Sequence, residues 1–252
     1  MIEPVTRESP HVVGRPVMLQ GWHNLTAIHW AYPPEVVQSL LPAGFTVDTL
    51  DGSAWVGLIP FQMDRIRVPR LPALGPLSTF PETNVRTYIV DPHGRRAVWF
   101  FSLDITRLLP ALVARVTYRL PYCWASMSIE GVGSVGGEVR YTSRRRWPSG
   151  EASSVVAVRV GDAIAEADET DLDRFLTARW ALGSTWGRRL MWARVDHPTW
   201  ALHHADLLEC DETAVRAAGL PAPTGVPHVR WSPGVDVRIE RPRLVRAAQI
   251  SP

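Results

Sequence analysis

The chain has 252 residues, of which 46% are hydrophobic and 21% are charged, and its net charge is +2. This composition is typical of a soluble globular protein with a full core, and the small, scattered positive charge disfavours nucleic-acid binding. All 27 basic residues are arginines, so the chain has no lysine. The absence of lysine excludes a Schiff-base enzyme, because arginine stays charged near neutral pH and cannot attack a carbonyl.

The N-terminal residues lack the basic-then-apolar pattern of a signal peptide, and no apolar run approaches the roughly 18 residues of a membrane span. We therefore expect a cytoplasmic protein with no membrane partner. Cys123 and Cys210 have no CxxC partner, so they predict neither a zinc motif nor a disulfide framework. The only basic run, Arg144 to Arg146, is most often a solvated loop. No cofactor is predicted.

Strand patterns dominate the chain, with short helices between them. A helix opens at Pro33 and stops before Pro42, and two more are predicted over Leu172 to Trp180, where Thr170 and Asp173 suggest a capped start, and over Thr213 to Ala218. The predicted strands are Gly21 to Trp30, Ala54 to Gln62, Asn84 to Val90, Ala97 to Leu103, Ala125 to Glu130, Glu138 to Ser143, Ser154 to Val160 and Val235 to Ile239. The polar segment from Ser143 to Ser154 fits an exposed hairpin connection. Long antiparallel strands with a few helices indicate the α+β class.

Several blocks carry a family resemblance. They read WHNLTAIHWAYPPEVVQSLLPAGFTVDTLDGSAWVGLIPF, STFPETNVRTYIV, AVWFFSLD, YRLPY, LTARW and SPGVDVRI. In order and spacing they resemble the YqjF-like family of bacterial proteins, which is grouped with the acetoacetate decarboxylase-like fold. The resemblance implies a closed or nearly closed, mainly antiparallel β-barrel with peripheral helices. It predicts a single domain over residues 15–245, an N-terminal extension over 1–14 and a tail over 246–252. Because this fold is often seen in assemblies, a homo-oligomer is also expected.

The segment from Phe80 to Val90 holds the most chemically informative pattern. Glu82, Asn84, Arg86 and Tyr88 alternate with less polar residues, so in a strand they share one face. That face could look at water or into the fold. The resemblance favours the interior, because acetoacetate decarboxylases carry a glutamate near the reactive lysine at the position that the resemblance matches to Glu82. Inside a barrel, Arg86 could bind a substrate carboxylate, Glu82 could act as general acid or base, and Asn84 could orient either.

The reactive lysine itself is missing. The resemblance places the decarboxylase lysine pair at about Leu108 to Ala111, where this chain has Leu-Leu-Pro-Ala. Schiff-base decarboxylation is therefore excluded, and a pocket for a small carboxylate or carbonyl compound remains. Two hypotheses stay open: an enzyme that performs acid/base chemistry without lysine, and a catalytically inactive barrel that binds a small molecule as a sensor or carrier.

Aromatic and histidine side chains complete the candidate site. The resemblance places His23 near a pocket arginine of the decarboxylases, so His23 is a second catalytic candidate. His29 lies six positions after His23, which predicts that the two side chains share one face of a strand. Trp55 and Tyr122 are expected to give the pocket aromatic walls. No histidine pair has metal-ligand spacing, so no metal site is predicted.

Overall fold

Fourteen strands make up most of the part of the chain that the computed structural model describes, residues 1–107, 119–131, 133–148 and 151–245. The strands are β1 Met18–Tyr32, β2 Thr46–Val47, β3 Thr49–Leu50, β4 Ser53–Arg67, β5 Phe80–Val90, β6 Arg96–Ile105, β7 Tyr122–Gly131, β8 Glu138–Trp147, β9 Ser153–Ala163, β10 Ala181–Trp186, β11 Arg189–Asp196, β12 His203–Glu212, β13 His228–Ile239 and β14 Arg243–Leu244. The described α-helices are α1 Pro34–Gln38, α2 Asp171–Thr177 and α3 Ala214–Ala217. The predicted tail over 246–252 lies outside the described residues.

The strands form one sheet that closes on itself. Its order is β14-β11-β10-β6-β7-β8-β9-β12-β13-β1-β4-β5-β2, and further pairings join β5 to β6 and β11 to β13. Nearly all neighbours are antiparallel, but β6 pairs in parallel with β7 and with β10. These closures produce two rings of strands that share β13, β1, β4, β5 and β6. The predicted α+β fold, a mainly antiparallel barrel with a few peripheral helices, is confirmed.

The shared strands β1, β4 and β5 bury both of their faces. On one face Ile28, Leu58 and Val85 belong to a packed core in the ring that contains β8, β9 and β12. On the other face Ile59 and Phe61 belong to a second core in the ring that contains β10 and β11. Strands buried on both sides have no water-facing side, which explains the nearly continuous apolar run from Val56 to Phe61.

Helix α2 is fixed to the sheet by one buried carboxylate. Thr170 and Asp173 form a reciprocal capping box at its start, as the sequence predicted. The Asp173 carboxylate also accepts hydrogen bonds from His228 Nε2 and Arg230 Nε, each at 2.8 Å, on strand β13. These bonds outweigh the effect of burial and hold the pKa of Asp173 well below its usual value. The anchored helix ends at Thr177, two residues before Arg179, which lines the main cavity.

The N-terminal residues run along the edges of β6 and β10. Glu3 N–H donates to Gly94 O at 2.8 Å, Arg96 N–H donates to the Glu3 carboxylate, and Trp180 Nε1 donates to Thr6 O. Val13 is fully buried. In the described part of the chain, no helix has the length and apolar character needed to cross a bilayer.

Every predicted strand is present, and β8 and β9 pair across the polar segment from Ser143 to Ser154 as a hairpin. The basic run Arg144 to Arg146 is not a solvated loop. It lies in β8, and Arg145 donates two hydrogen bonds to the buried Asp104 carboxylate, at 3.0 and 2.8 Å. The run was misjudged because an aspartate distant in sequence supplies the partner.

Candidate functional site

A cavity of about 710 Å³ lies inside the ring that contains β10 and β11. Its walls come from β1, β4, β5, β6, β7, β10 and β11 and from the segment after α2, and most of the lining side chains are apolar. Leu74 and Leu77 line it although they are 68% and 59% exposed, so the cavity reaches the surface beside them. At this end Arg107 also lines the cavity and donates to Pro76 O at 3.1 Å. Residues 108–118, where the resemblance placed the lysine pair, lie outside the described residues.

The polar face of β5 points into this cavity. Glu82, Asn84 and Arg86 line it, while Val85 packs into the other core. In register, Glu82 lies opposite Ile105 and Arg86 lies opposite Phe100. Glu82 is therefore nearer the open end, and Arg86 is nearer the closed end. Four residues of strand at roughly 3.3 Å each separate their Cα atoms by about 13 Å.

Glu82 is buried, and its pKa is raised towards neutral pH. Burial raises the pKa of Glu82 to about 8, the hydrogen bond with Asn84 opposes this rise, and the charge of Asp104 adds to it. Its Oε2 atom has no hydrogen-bond partner among the described residues, nor does Asn84 Oδ1. A carboxyl group that lines a cavity and has a pKa raised towards neutral pH is equipped to donate a proton to a bound molecule.

Arg86 does not pair with Glu82. Within the described ranges no carboxylate lies at ion-pair distance from Arg86, and its Nε atom has no hydrogen-bond partner. The guanidinium lies against the Tyr88 ring, 5.7 Å from the ring centroid. A half-buried guanidinium without a counter-ion is a site for an anion, and a carboxylate fits its paired N–H groups.

His29 and Tyr88 lie behind the inner end of the cavity and do not line it. Their Nε2 and hydroxyl oxygen lie 2.7 Å apart, and both residues are fully buried. Burial lowers the pKa of His29 well below its usual value, and the positive charge of Arg86 lowers it further, so the ring is neutral. The His29 ring fits because Gly57 has no side chain: a Cβ there would lie 2.6 Å from His29 Nε2. Tyr88, which was predicted to bind the substrate, therefore contacts Arg86 from behind and does not itself line the cavity.

His23 does not line the cavity, and the predicted common face of His23 and His29 is wrong. Asn24 has φ 45°, and the register of β1 against β4 shifts between His23 and Ile28. Such an irregularity reverses the alternation of side chains, so Trp22 and Leu25 both face the cavity while His23 lies beside Asp64, with Nδ1 and Oδ2 3.5 Å apart. No role in the site is assigned to His23.

Of the two aromatic residues predicted for the walls, one lines the cavity. Tyr122 does so, together with Trp124 on the same strand. Trp55 lies two residues before Gly57 in β4. It packs against the cluster of Tyr88, Val98, Phe175 and Leu176 behind the closed end. The cavity therefore stops before it reaches Trp55.

Sequence reasoning missed several lining residues. Trp22 and Trp200 stack with centroids 6.1 Å apart, and His197 packs against Trp200 and Trp180 at 5.4 and 4.5 Å. Burial lowers the pKa of His197, whose Nδ1 bonds to Pro198 O at 2.7 Å. Gln20 lines the wall two residues before Trp22, and its alternation with Trp22 was a usable signal. Arg179 and His197 lie outside the strands, so no local sequence pattern predicts that they line the cavity.

A closed, mainly antiparallel barrel around an internal cavity is the acetoacetate decarboxylase-like fold, and solved structures similar to this one share it. The enzyme MppR of enduracididine biosynthesis, complexed with pyruvate, has a TM-score of 0.63 and 14% identity, with 94% of each chain covered. An acetoacetate decarboxylase-like enzyme from Sphingomonas wittichii RW1 has a TM-score of 0.64 and 13% identity, over 94% of this chain and 96% of the other. At such identities the likeness shows the fold alone.

The family follows from sequence. The chain belongs to the family DUF2071, "Uncharacterized conserved protein (COG2071)", whose pattern matches residues 19–236. The uncharacterized protein YqjF of Bacillus subtilis (strain 168) is 31% identical over 221 residues, which are 88% of this chain and 89% of that protein. The YqjF-like resemblance read from the sequence is confirmed.

Proposed function

We propose that the chain is an enzyme that performs acid/base chemistry, without lysine, on a small carboxylic acid that carries a carbonyl group. Glu82 carries the proposal: it lines the cavity, its pKa is raised to about 8, its Oε2 has no hydrogen-bond partner among the described residues, and it is not paired with Arg86. A carboxyl group locked in an ion pair could not exchange its proton with a substrate. A pKa near the working pH lets one group both give and take a proton.

The roles divide along β5. Arg86 binds the substrate carboxylate through paired N–H groups. Glu82 donates its Oε2 proton to an oxygen of the substrate, or takes a proton from the carbon beside the carbonyl, and Asn84 orients Glu82 through their hydrogen bond. Such proton transfers belong to isomerase-like or lyase-like chemistry. The apolar walls keep water away and strengthen each charge interaction. The complex of MppR with pyruvate supports a ligand of this chemical class.

A non-catalytic binding protein is the second candidate. The observation that favours it is the aromatic wall of Trp22 and Trp200, which suits a ligand held by stacking rather than transformed. Both candidates place a small molecule in the same cavity and differ in what Glu82 does to it.

The test combines binding with proton exchange. Wild type, Arg86→Ala and Glu82→Gln are screened by thermal shift against small keto, hydroxy and aromatic acids, since a ligand at about 100 times its Kd stabilises the native state by roughly 2.7 kcal/mol. The acids that bind are then incubated with each protein in D₂O, and proton NMR follows the loss of signal at carbons beside the carbonyl.

Wild type is expected to bind an acid and exchange its protons, Arg86→Ala to lose binding, and Glu82→Gln to bind without exchange. Arg238→Ala is the matched control, because Arg238 is an exposed arginine on β13. Binding without exchange in wild type would select the binding protein. No stabilisation by any acid would refute the carboxylate site itself.

A further inference from the structure

A second arginine reaches the closed end of the cavity. Arg179 follows α2 and lines the cavity, although its side chain is only 2% exposed. Its Nε donates to Phe175 O at 2.7 Å and its Nη1 donates to Asp48 Oδ2 at 2.5 Å. Its Nη2 has no hydrogen-bond partner in the described part of the chain. An unsatisfied N–H group on a buried cation is costly unless something else accepts it.

The local charge is not balanced. Asp48 is shared, because Arg96 also donates to its Oδ2. The Glu3 carboxylate accepts a hydrogen bond from the Arg96 backbone N–H. Thus one buried carboxylate serves two guanidinium groups, and Arg86 adds a third that pairs with no described carboxylate. Burying positive charge without a matching anion costs several kcal/mol per ion, so an anion bound between Arg86 and Arg179 would be strongly favoured.

The two arginines contact the same aromatic ring. Arg86 and Arg179 both lie against the Tyr88 ring, with guanidinium carbons 5.7 and 4.6 Å from its centroid. Tyr88 is held in place by His29 at 2.7 Å, and His29 is neutral, so it adds no competing charge. The ring therefore keeps the two guanidinium groups at the same end of the cavity, opposite to the open end beside Leu74.

The walls between this end and Glu82 are apolar. Ile59, Phe61, Phe100 and Leu103 line the cavity along the strands that flank β5. A cavity of about 710 Å³ is far larger than a three-carbon acid needs and falls within the range of roughly 300–1,000 Å³ that holds drug-sized ligands. A carboxylate at the closed end would thus be followed by apolar surface before any atom reaches Glu82.

We infer that Arg86 and Arg179 together bind the carboxylate of the ligand, and that the ligand is an acid whose extended apolar body spans the cavity from the two arginines to Glu82. This inference rests on the proposed function for the identity of the site. It adds a second binding residue and a substrate class: medium-chain keto acids in which an apolar body separates the carbonyl group from the carboxylate, rather than acids of pyruvate's size.

The first experiment uses wild type alone. Affinities are measured by calorimetry for straight-chain keto acids of three to ten carbons that all carry the carbonyl group on the penultimate carbon, each compared with its methyl ester. The acids are expected to bind more tightly as the chain lengthens, because each buried CH₂ contributes about 0.8 kcal/mol, or roughly fourfold in Kd. The esters are expected to bind roughly 10- to 100-fold more weakly, because they lose hydrogen bonds to charged groups.

The second experiment uses matched variants. Arg179→Gln and Arg96→Gln each remove one of the two guanidinium partners of Asp48, but only Arg179 lines the cavity. Arg179→Gln is expected to weaken binding of the long acids roughly 10-fold or more. Arg96→Gln is expected to leave that affinity unchanged while disturbing the same carboxylate, which separates a binding role from a structural one.

The outcomes are distinguishable from failure of the proposed function. If acids bind through Arg86 but Arg179→Gln binds them as wild type does, the two-arginine site is refuted and the proposed function stands. If pyruvate binds as tightly as the longer acids, the extended ligand is refuted. If Arg179→Gln does not fold, the chain-length series in wild type still tests the extended ligand, and Arg179→Lys, which keeps the charge but not the paired N–H groups, tests the second arginine by the same affinity measurement.

Discussion

Glu82→Gln is expected to change how folding stability depends on pH. In the unfolded chain Glu82 ionises near pH 4.5, whereas in the folded protein it keeps its proton until about pH 8. Between these values the unfolded state releases a proton that the folded state retains, so the free energy of unfolding of wild type falls as the pH rises. The stability that Glu82 contributes is complete below pH 4.5 and is lost progressively as the pH rises from 4.5 to about 8. Glutamine is neutral throughout and has no such dependence.

The size of the effect follows from the two pKa values. Each pH unit between them removes about 1.4 kcal/mol from the free energy of unfolding, so the loss reaches roughly 5 kcal/mol by pH 8. For a protein of this size 1 kcal/mol corresponds to about 2–4 °C in Tm. Relative to wild type, Glu82→Gln should therefore gain on the order of 10 °C between pH 5 and pH 8.

The assay is urea unfolding at pH 5, 6, 7 and 8, followed by tryptophan fluorescence. Glu138→Gln serves as the control, because Glu138 is an exposed strand glutamate paired with Arg159 at 2.8 Å. Its pH profile should run parallel to that of wild type. If the profile of Glu82→Gln is also parallel to wild type, Glu82 is already ionised at neutral pH and cannot act as a general acid.

Three further predictions concern the frame of the site. Gly57→Ala should lower the free energy of unfolding by about 1–3 kcal/mol in chemical denaturation, because the new methyl group overlaps His29. Gly14→Ala is the control and should be neutral, because open space surrounds Gly14. Equal effects of the two substitutions would show that His29 moves freely. Asp173→Asn should lower the free energy of unfolding by about 3–5 kcal/mol at pH 7, because it leaves two basic partners unpaired. The difference from wild type should shrink towards pH 3, and a difference that stays constant with pH would refute the ionic role. Sedimentation at micromolar concentration should give a homo-oligomer, as the fold resemblance implies, and a monomer would end that expectation.

Much of the barrel was readable from local pattern. The strands around the cavity alternate or run continuously apolar, and Glu82, Asn84 and Arg86 could be placed on one face because a strand has a period of two. The short strand Ala181–Trp186 and its partner Arg189–Asp196 were missed. Gly183 interrupts the first, since its bare backbone makes room for Ile89 and Phe45, which are distant in sequence.

The rest of the site could not be read locally, because it depends on contacts between distant segments. Arg179 reaches the cavity only because α2 is anchored through Asp173 to β13. His23 was misplaced because the irregularity at Asn24 reverses the alternation on which the prediction relied. Both errors arise where tertiary structure overrides the regular period of an element.

Strand β5 ties the chemistry of the cavity to the correctness of folding. A slip of one residue against β4 or β6 would turn Thr83, Val85 and Thr87 towards the cavity and drive an acid, an amide and a guanidinium into the packed core on the other side. Such a misfolded state would be penalised many times over by unsolvated polar groups. The residues proposed for function therefore also specify the register of β5. Molecules that reach the native fold carry a correctly assembled cavity.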